Sequence, residues 1–105
     1  MNIDTSLRYR SVAVSGMVGR PRQEVYEHVR EIFGGEKLAK FPDDLNTLPQ
    51  EFKDGNWYSF FGSLRAQDSE ANVPHVSWVG GVWSRGADCL DSDWYSSERV
   101  VLLED

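Results

Sequence analysis

The residues of this chain that could do chemistry are few. His28 and His75 are the two histidines. His28 follows Glu24 by four positions, so the pair would share one face of a helix. His75 would have to join them to complete the two-histidine, one-carboxylate set that holds a transition metal. A histidine on a helix surface and another at a strand start is the simpler reading, and no metal is expected. Asp88, Asp91 and Asp93 superficially suggest calcium. A calcium-binding helix–loop–helix needs acidic residues at positions 1, 3 and 5, a central glycine and a closing glutamate. Here the spacing is three then two, the glycine is missing, and Glu98 fits only by a generous count.

Covalent chemistry fares no better. Cys89 is the single cysteine, so no disulfide within the chain and no cysteine-based zinc site can form. Neighbouring carboxylates oppose thiolate formation at Cys89. The serines lack the G-x-S-x-G elbow. The turn Ser15-Gly16-Met17-Val18-Gly19-Arg20-Pro21 precedes a predicted helix, and its backbone donors with Arg20 and Arg22 could hold an anion. It lacks both the phosphate-loop ending and the dinucleotide G-x-G-x-x-G pattern, so a plain connecting turn competes with that reading. No cofactor is expected.

Recognition of a partner is the chemistry left. Asp88, Asp91 and Asp93 run into Trp94 and Tyr95, and aromatics beside charges are typical of interface hot spots. Asp43 and Asp44 form a second candidate patch. Net charge is −6, unevenly placed. Residues 1–40 carry seven basic and five acidic residues, a net +2, while residues 41–105 carry four basic and twelve acidic, a net −8. Phosphate binding needs clustered Lys and Arg, so direct nucleic-acid binding is not expected, nor is binding to an anionic membrane. A protein with a basic surface would be steered toward the acidic part.

The elements that must position these residues follow from pattern. A first strand is expected over Arg8–Ser15, ended by Gly16. Pro21 suits a first helical position, and Val25, Tyr26, Val29, Ile32 and Phe33 then recur at helical period. Glu24, Glu27, Arg30 and Glu31 take the wet side, and Gly34-Gly35 supplies the stop. Residues 36–56 read as irregular: Phe41-Pro42 breaks a helix, Thr47 is placed to cap one short turn ending near Phe52, and Asp54-Gly55 reads as a turn. A strand is expected over Trp57–Leu64, its Tyr58, Phe60, Gly62 and Leu64 facing inward, then a polar loop over Arg65–Asn72. Ser77-Trp78-Val79-Gly80-Gly81-Val82-Trp83-Ser84 is a palindrome. It makes either a two-residue hairpin pairing Val79 with Val82 and Trp78 with Trp83, or one long strand bulged at the glycines. A polar acidic loop over Arg85–Ser97 and a last strand over Arg99–Leu103 complete the chain.

At 105 residues, with five Phe, four Tyr and four Trp, the chain is expected to form one α+β domain spanning 1–105: one amphipathic helix on a four- or five-stranded, mainly antiparallel sheet. Its start has no apolar run behind a basic segment, and no stretch approaches the roughly 20 apolar residues of a membrane span, so a cytoplasmic location is expected. One helix can cover only one sheet face, and neighbours on a strand alternate. Some of Trp57, Phe61 and one hairpin tryptophan must therefore meet a second layer, a partner or solvent. An uncovered face is expected there, suited to a partner or a homodimer. The functional expectation is a non-enzymatic protein that neutralises a macromolecular target, of the antitoxin, immunity or phage anti-defence kind. The alternatives are a small-molecule binder or small enzyme, with a helix–sheet pocket lined by Tyr26, Tyr58 and the tryptophans, and a structural subunit of an assembly.

Overall fold

A computed structural model describes residues 8–64 and 72–104. The loop expected over 65–72 lies, Asn72 apart, outside the described residues. The chain is α+β, the described residues forming one α-helix, α1 (Arg22–Phe33), and five strands, β1 (Tyr9–Val12), β2 (Trp57–Ser59), β3 (Asn72–Val79), β4 (Val82–Cys89) and β5 (Glu98–Leu103). The sheet order is β1-β5-β2-β3-β4. All neighbours pair antiparallel except β2 and β5, which run parallel. No helix among the described residues is long and apolar enough to cross a membrane.

Local sequence accounts for several elements. Pro21 precedes the helix and Gly34 ends it at φ 89°, a left-handed conformation that glycine adopts without strain. Gly80 and Gly81 sit at φ 60° and 82°. Two successive positive φ angles make the two-residue turn whose twist suits a hairpin. Between the two readings of the palindrome, the structure selects the hairpin: Trp78 pairs with Trp83 and Val79 with Val82. The Asp54-Gly55 turn is present, with the Asp54 carboxylate accepting the Asn56 amide at 3.0 Å.

Elsewhere tertiary pairing overrides local pattern. The first strand is shorter than expected, because a 3-10 turn at Ser15–Met17 follows it. The strand expected over Trp57–Leu64 stops at Ser59. Ser59 pairs with His75, which puts Phe60 beside Pro74. Phe60 donates to the Pro74 carbonyl at 2.9 Å, but proline has no N–H to return. The ladder ends there in a 3-10 turn, Phe61–Ser63, and Phe61 packs on the helix side, opposite to Phe60. Conversely, β4 runs on to Cys89 where a loop was expected. The hairpin register carries it along β3 through Gly86 and Asp88 despite their weak strand preference.

Among the described residues both faces of the sheet carry an apolar covering layer, and exposure is confined to Trp57 and to the hairpin residues Val79 and Val82 among the large apolar side chains of the sheet. On the helix side, Val25 and Val29 pack with Leu38, Phe61, Val73, Trp94, Val100 and Leu102. Tyr26 stacks on Phe61 with centroids 5.7 Å apart. The opposite face is covered by the irregular segment after the helix. Its turns Leu45–Thr47 and Gln50–Phe52 press Leu45, Leu48 and Phe52 onto Tyr9, Tyr58, Phe60, Val76 and Val101. The turn that ends at Phe52 follows Pro49 and takes no side-chain cap, so Thr47 does not cap it. Asp44 caps the preceding turn, Leu45–Thr47, accepting the Asn46 amide at 3.0 Å, while the Thr47 hydroxyl donates to the Asp44 carbonyl. Ile32, expected in the apolar stripe, is exposed, and Arg22 is buried instead.

Tyr58 stacks on Phe52 at 4.1 Å and donates its hydroxyl to Asp54 at 2.8 Å. Burial first, and then the Asp54 carboxylate, hold its phenol well above the ordinary value. Burial raises Tyr9 as well, against a hydrogen bond with Thr47. The folded chain keeps these phenols neutral. Their contribution is fully present below the ordinary tyrosine value of about 10 and is lost above it, as the unfolded phenols ionise and the folded ones do not. The urea midpoint should therefore fall as pH rises beyond about 10, and Tyr58→Phe should flatten that fall. An unchanged slope in the variant would show that Tyr58 does not carry it. Asp54 behaves oppositely. Burial resists its ionisation, but hydrogen bonds from the Asn56 amide, the Tyr58 hydroxyl and the Asn56 side chain outweigh burial and hold the carboxyl below the usual range.

Candidate recognition site at the helix start

The connection from β4 to β5 crosses the helix side of the sheet and is bound to the start of α1 by backbone. Gly19 donates to Trp94 O at 2.8 Å, Trp94 to Arg20 O at 2.9 Å, Arg22 to Ser92 O at 2.8 Å and Gln23 to Leu90 O at 2.8 Å. Pro21 and Asp93 form an isolated bridge. The glycine turn that could have held an anion thus spends the Gly19 and Arg22 amides on this connection.

Beneath it lies a buried polar cluster. Arg22 and Glu98 are each 1 % exposed, and the Arg22 guanidinium donates to Glu98 Oε1 and to Ser92 Oγ. It also lies 3.7 Å from Asp88 Oδ2 and 5.7 Å from the Trp94 ring centroid. Glu98 uses its other oxygen to accept the Tyr95 amide at 2.8 Å. Asp88 Oδ2 is 2.9 Å from His75 Nδ1, an ion-pair contact without the alignment of a hydrogen bond. Trp57 stacks on His75 at 4.3 Å and 11°.

This cluster redistributes the candidate residues. Trp94 is 1 % exposed and Phe61 likewise, so neither can contact a partner; both are core. Trp94 is buried because it packs with Val25 and Val29 of α1 and Val100 and Leu102 of β5, and Phe61 because it faces the helix side and meets Tyr26. Asp88 is half-buried and faces Arg22 and His75. Asp91, Asp93 and Tyr95 stay exposed on the tethered connection, and Trp57 is half-exposed on the sheet. Tyr95 borders a cleft of about 200 Å³ with Val14, Val18 and Arg99, and Val18 is itself exposed. Asp43 and Asp44 are also exposed, but they line a different groove, of about 640 Å³, with Tyr9, Leu38, Phe41 and Leu103. That groove includes Gly35 and Glu36 just past the helix end, whereas Asp93 sits at its start. The two acidic patches therefore lie toward opposite ends of α1, whose twelve residues span about 18 Å.

The other chemical sets are not assembled. Among the described residues no three His, Cys, Asp or Glu side chains are grouped to hold a metal. Glu24 pairs with Arg20 at 3.1 Å and His75 with Asp88, so the Glu24–His28–His75 combination is not brought together. Tyr26 and Tyr58 belong to opposite faces of the sheet and cannot line one pocket. Ser59, His75 and Asp88, a set the sequence reading missed, do become neighbours. Their geometry is not that of a nucleophile and its base. His75 Nε2 lies over Gly86 on β4, 2.6 Å from where a Cβ would stand there. Ser59 is on β2, at the other side of His75, fully buried and with its hydroxyl unpartnered. Only pairing brings these residues together, so no local signal could have revealed them.

No protein-family model, curated protein or solved structure matches this chain.

Proposed function

We propose that this chain is a non-enzymatic binding protein that neutralises a macromolecular target by covering a basic surface on it, in the manner of an antitoxin, immunity or anti-defence protein. One observation carries the reading: Asp91, Asp93 and Tyr95 face solvent on a connection that four backbone hydrogen bonds and the buried Arg22–Glu98 pair hold in place. A preformed loop does not have to be ordered on binding, so more of its contact energy appears as affinity. Two exposed carboxylates at the rim, unpaired among the described residues, accelerate encounter with a cationic partner. Tyr95, beside a cleft able to take a partner's side chain, is suited to be the anchor. Asp88 belongs to the support rather than to the contact, since its charge is already engaged.

The test uses the full chain as bait in lysate of its native host, beside the double variant Asp91→Lys, Asp93→Lys. A stoichiometric basic protein should be retained by the native chain, released by added salt, and bound at least about tenfold more weakly by the double variant. Equal, salt-insensitive capture by both baits, or no stoichiometric partner for either, would sink the proposal.

A further inference from the structure

The outermost strand, β4, offers an open edge. In a two-residue hairpin the residues flanking the turn exchange both backbone bonds, so Val79 and Val82 bond each other, and with them Ser84, Gly86 and Asp88 point their amides and carbonyls at β3. Trp83, Arg85 and Ala87 then point theirs outward, and no described residue bonds them. Edge strands are commonly blunted by shortness, proline, lysine or a bulge. The opposite edge, β1, is four residues long; β4 is eight, pairs in unbroken register, and carries neither proline nor lysine.

The two ends of this edge also differ in chemistry, apolar at one and acidic at the other, which specifies an occupant. At the hairpin end, Val79 and Val82 are 57 % and 63 % exposed. Just past the other end come the exposed Asp91 and Asp93. Arg85 lies midway, over the Phe41 ring at 5.4 Å, and disfavours a cation there. The eight residues span about 26 Å.

We propose that the β4 edge takes up an extended segment of the target as an added antiparallel strand, with Lys or Arg at that segment's N-terminal end, over Asp91 and Asp93, and β-branched apolar residues at its C-terminal end, against Val79 and Val82. The proposal rests on the basic-target reading and adds how the target is held: main-chain bonds supply affinity, and the two ends of the edge supply orientation.

The probe is a fluorescein-labelled, C-terminally amidated peptide, Lys-Lys-Thr-Val-Thr-Val-Thr-Val, read by anisotropy against the full chain. Two further versions are N-methylated on alternate residues, each removing the amide donors of one strand edge. Strand addition predicts binding of the parent peptide and a loss of roughly tenfold or more for one methylated version but not the other. It also predicts a comparable loss with Ala87→Pro, a substitution that removes only an outward N–H. The reversed peptide, with Lys-Lys at the C-terminal end, should bind more weakly than the parent. No binding of the parent overturns the proposal. So does equal binding of both methylated versions, which are tested on the native chain and do not depend on the proline variant folding. If affinity falls with Asp91→Asn, Asp93→Asn but ignores N-methylation and Ala87→Pro, the basic-target reading stands and strand addition fails. If affinity ignores the two aspartates, the proposed charge orientation fails with it.

Discussion

Arg22→Ala is expected to destabilise the fold by about 3–5 kcal/mol, measured by urea unfolding at neutral pH. Among the described residues the guanidinium is the single cation paired with Glu98, and both side chains are sealed from water. Removing it leaves a carboxylate buried without a counter-charge, which costs far more than the pair contributes. It also takes a donor from Ser92, a neighbour from Asp88 and a packing surface from Trp94. Small domains are stable by only about 5–15 kcal/mol, so this change alone could unfold much of the population at 37 °C. The double variant Arg22→Met, Glu98→Leu separates mechanism from mere disruption. Replacing both partners by apolar side chains of similar volume should recover much of the loss, because the sealed carboxylate is gone; what remains is the Tyr95 amide without its acceptor and the half-buried Asp88 without its arginine neighbour. If the double variant is as unstable as the single ones added together, uncompensated charge is not the cause. If Arg22→Ala costs under about 1 kcal/mol, the pair is not sealed as described. The same variant bears on function. With the support removed, the tethered connection should loosen, and binding should weaken even though Asp91, Asp93 and Tyr95 are untouched.

Gly62→Ala should be the next most damaging change, at about 3 kcal/mol or more by the same measurement. A Cβ there would stand 2.2 Å from the Leu38 carbonyl oxygen and 2.6 Å from the Ala39 carbonyl carbon and oxygen. These are backbone atoms, which cannot rotate aside as a side chain can. Nor can their segment retreat freely. Gly62 donates to Ala39 O at 2.9 Å, Ala39 donates to Val101 O at 3.1 Å, and Leu38 bridges Leu102. A shift large enough to admit the methyl group breaks those bonds and disturbs Phe61 beside them. Gly16→Ala is the control: nothing lies within 4 Å of its Cβ position, and a change within about 0.5 kcal/mol is expected. Similar small losses for both variants would mean that the close approach at Gly62 is not maintained in solution.

The contrast between these glycines reflects a wider division. Sequence alone determined what depends on neighbours in the chain. The helical period of Val25, Tyr26 and Val29, the Gly34 stop, the Asp54-Gly55 turn and the two glycines competent for a hairpin all express short-range geometry, and the α+β architecture follows from their order. The constraint that one helix cannot cover two faces of an aromatic sheet was also legible, as was the acidic, aromatic run from Asp91 to Tyr95. Tertiary structure alone decided what lies against what. The irregular segment after the helix, without a periodic signal, became the second covering layer because its scattered Leu45, Leu48 and Phe52 had an apolar face to meet. Pro74, remote in sequence from β2, ended that strand, and the helix side that Phe61 faces was filled by Tyr26 and Trp94. Trp94, which reads as an interface residue, became a core plug. Arg22 reads as a surface charge in a turn, yet it is buried because Glu98, 76 positions along the chain, arrives beside it. A buried charge is tolerable only when its counter-charge is delivered by the fold, and no window of local sequence contains that partner.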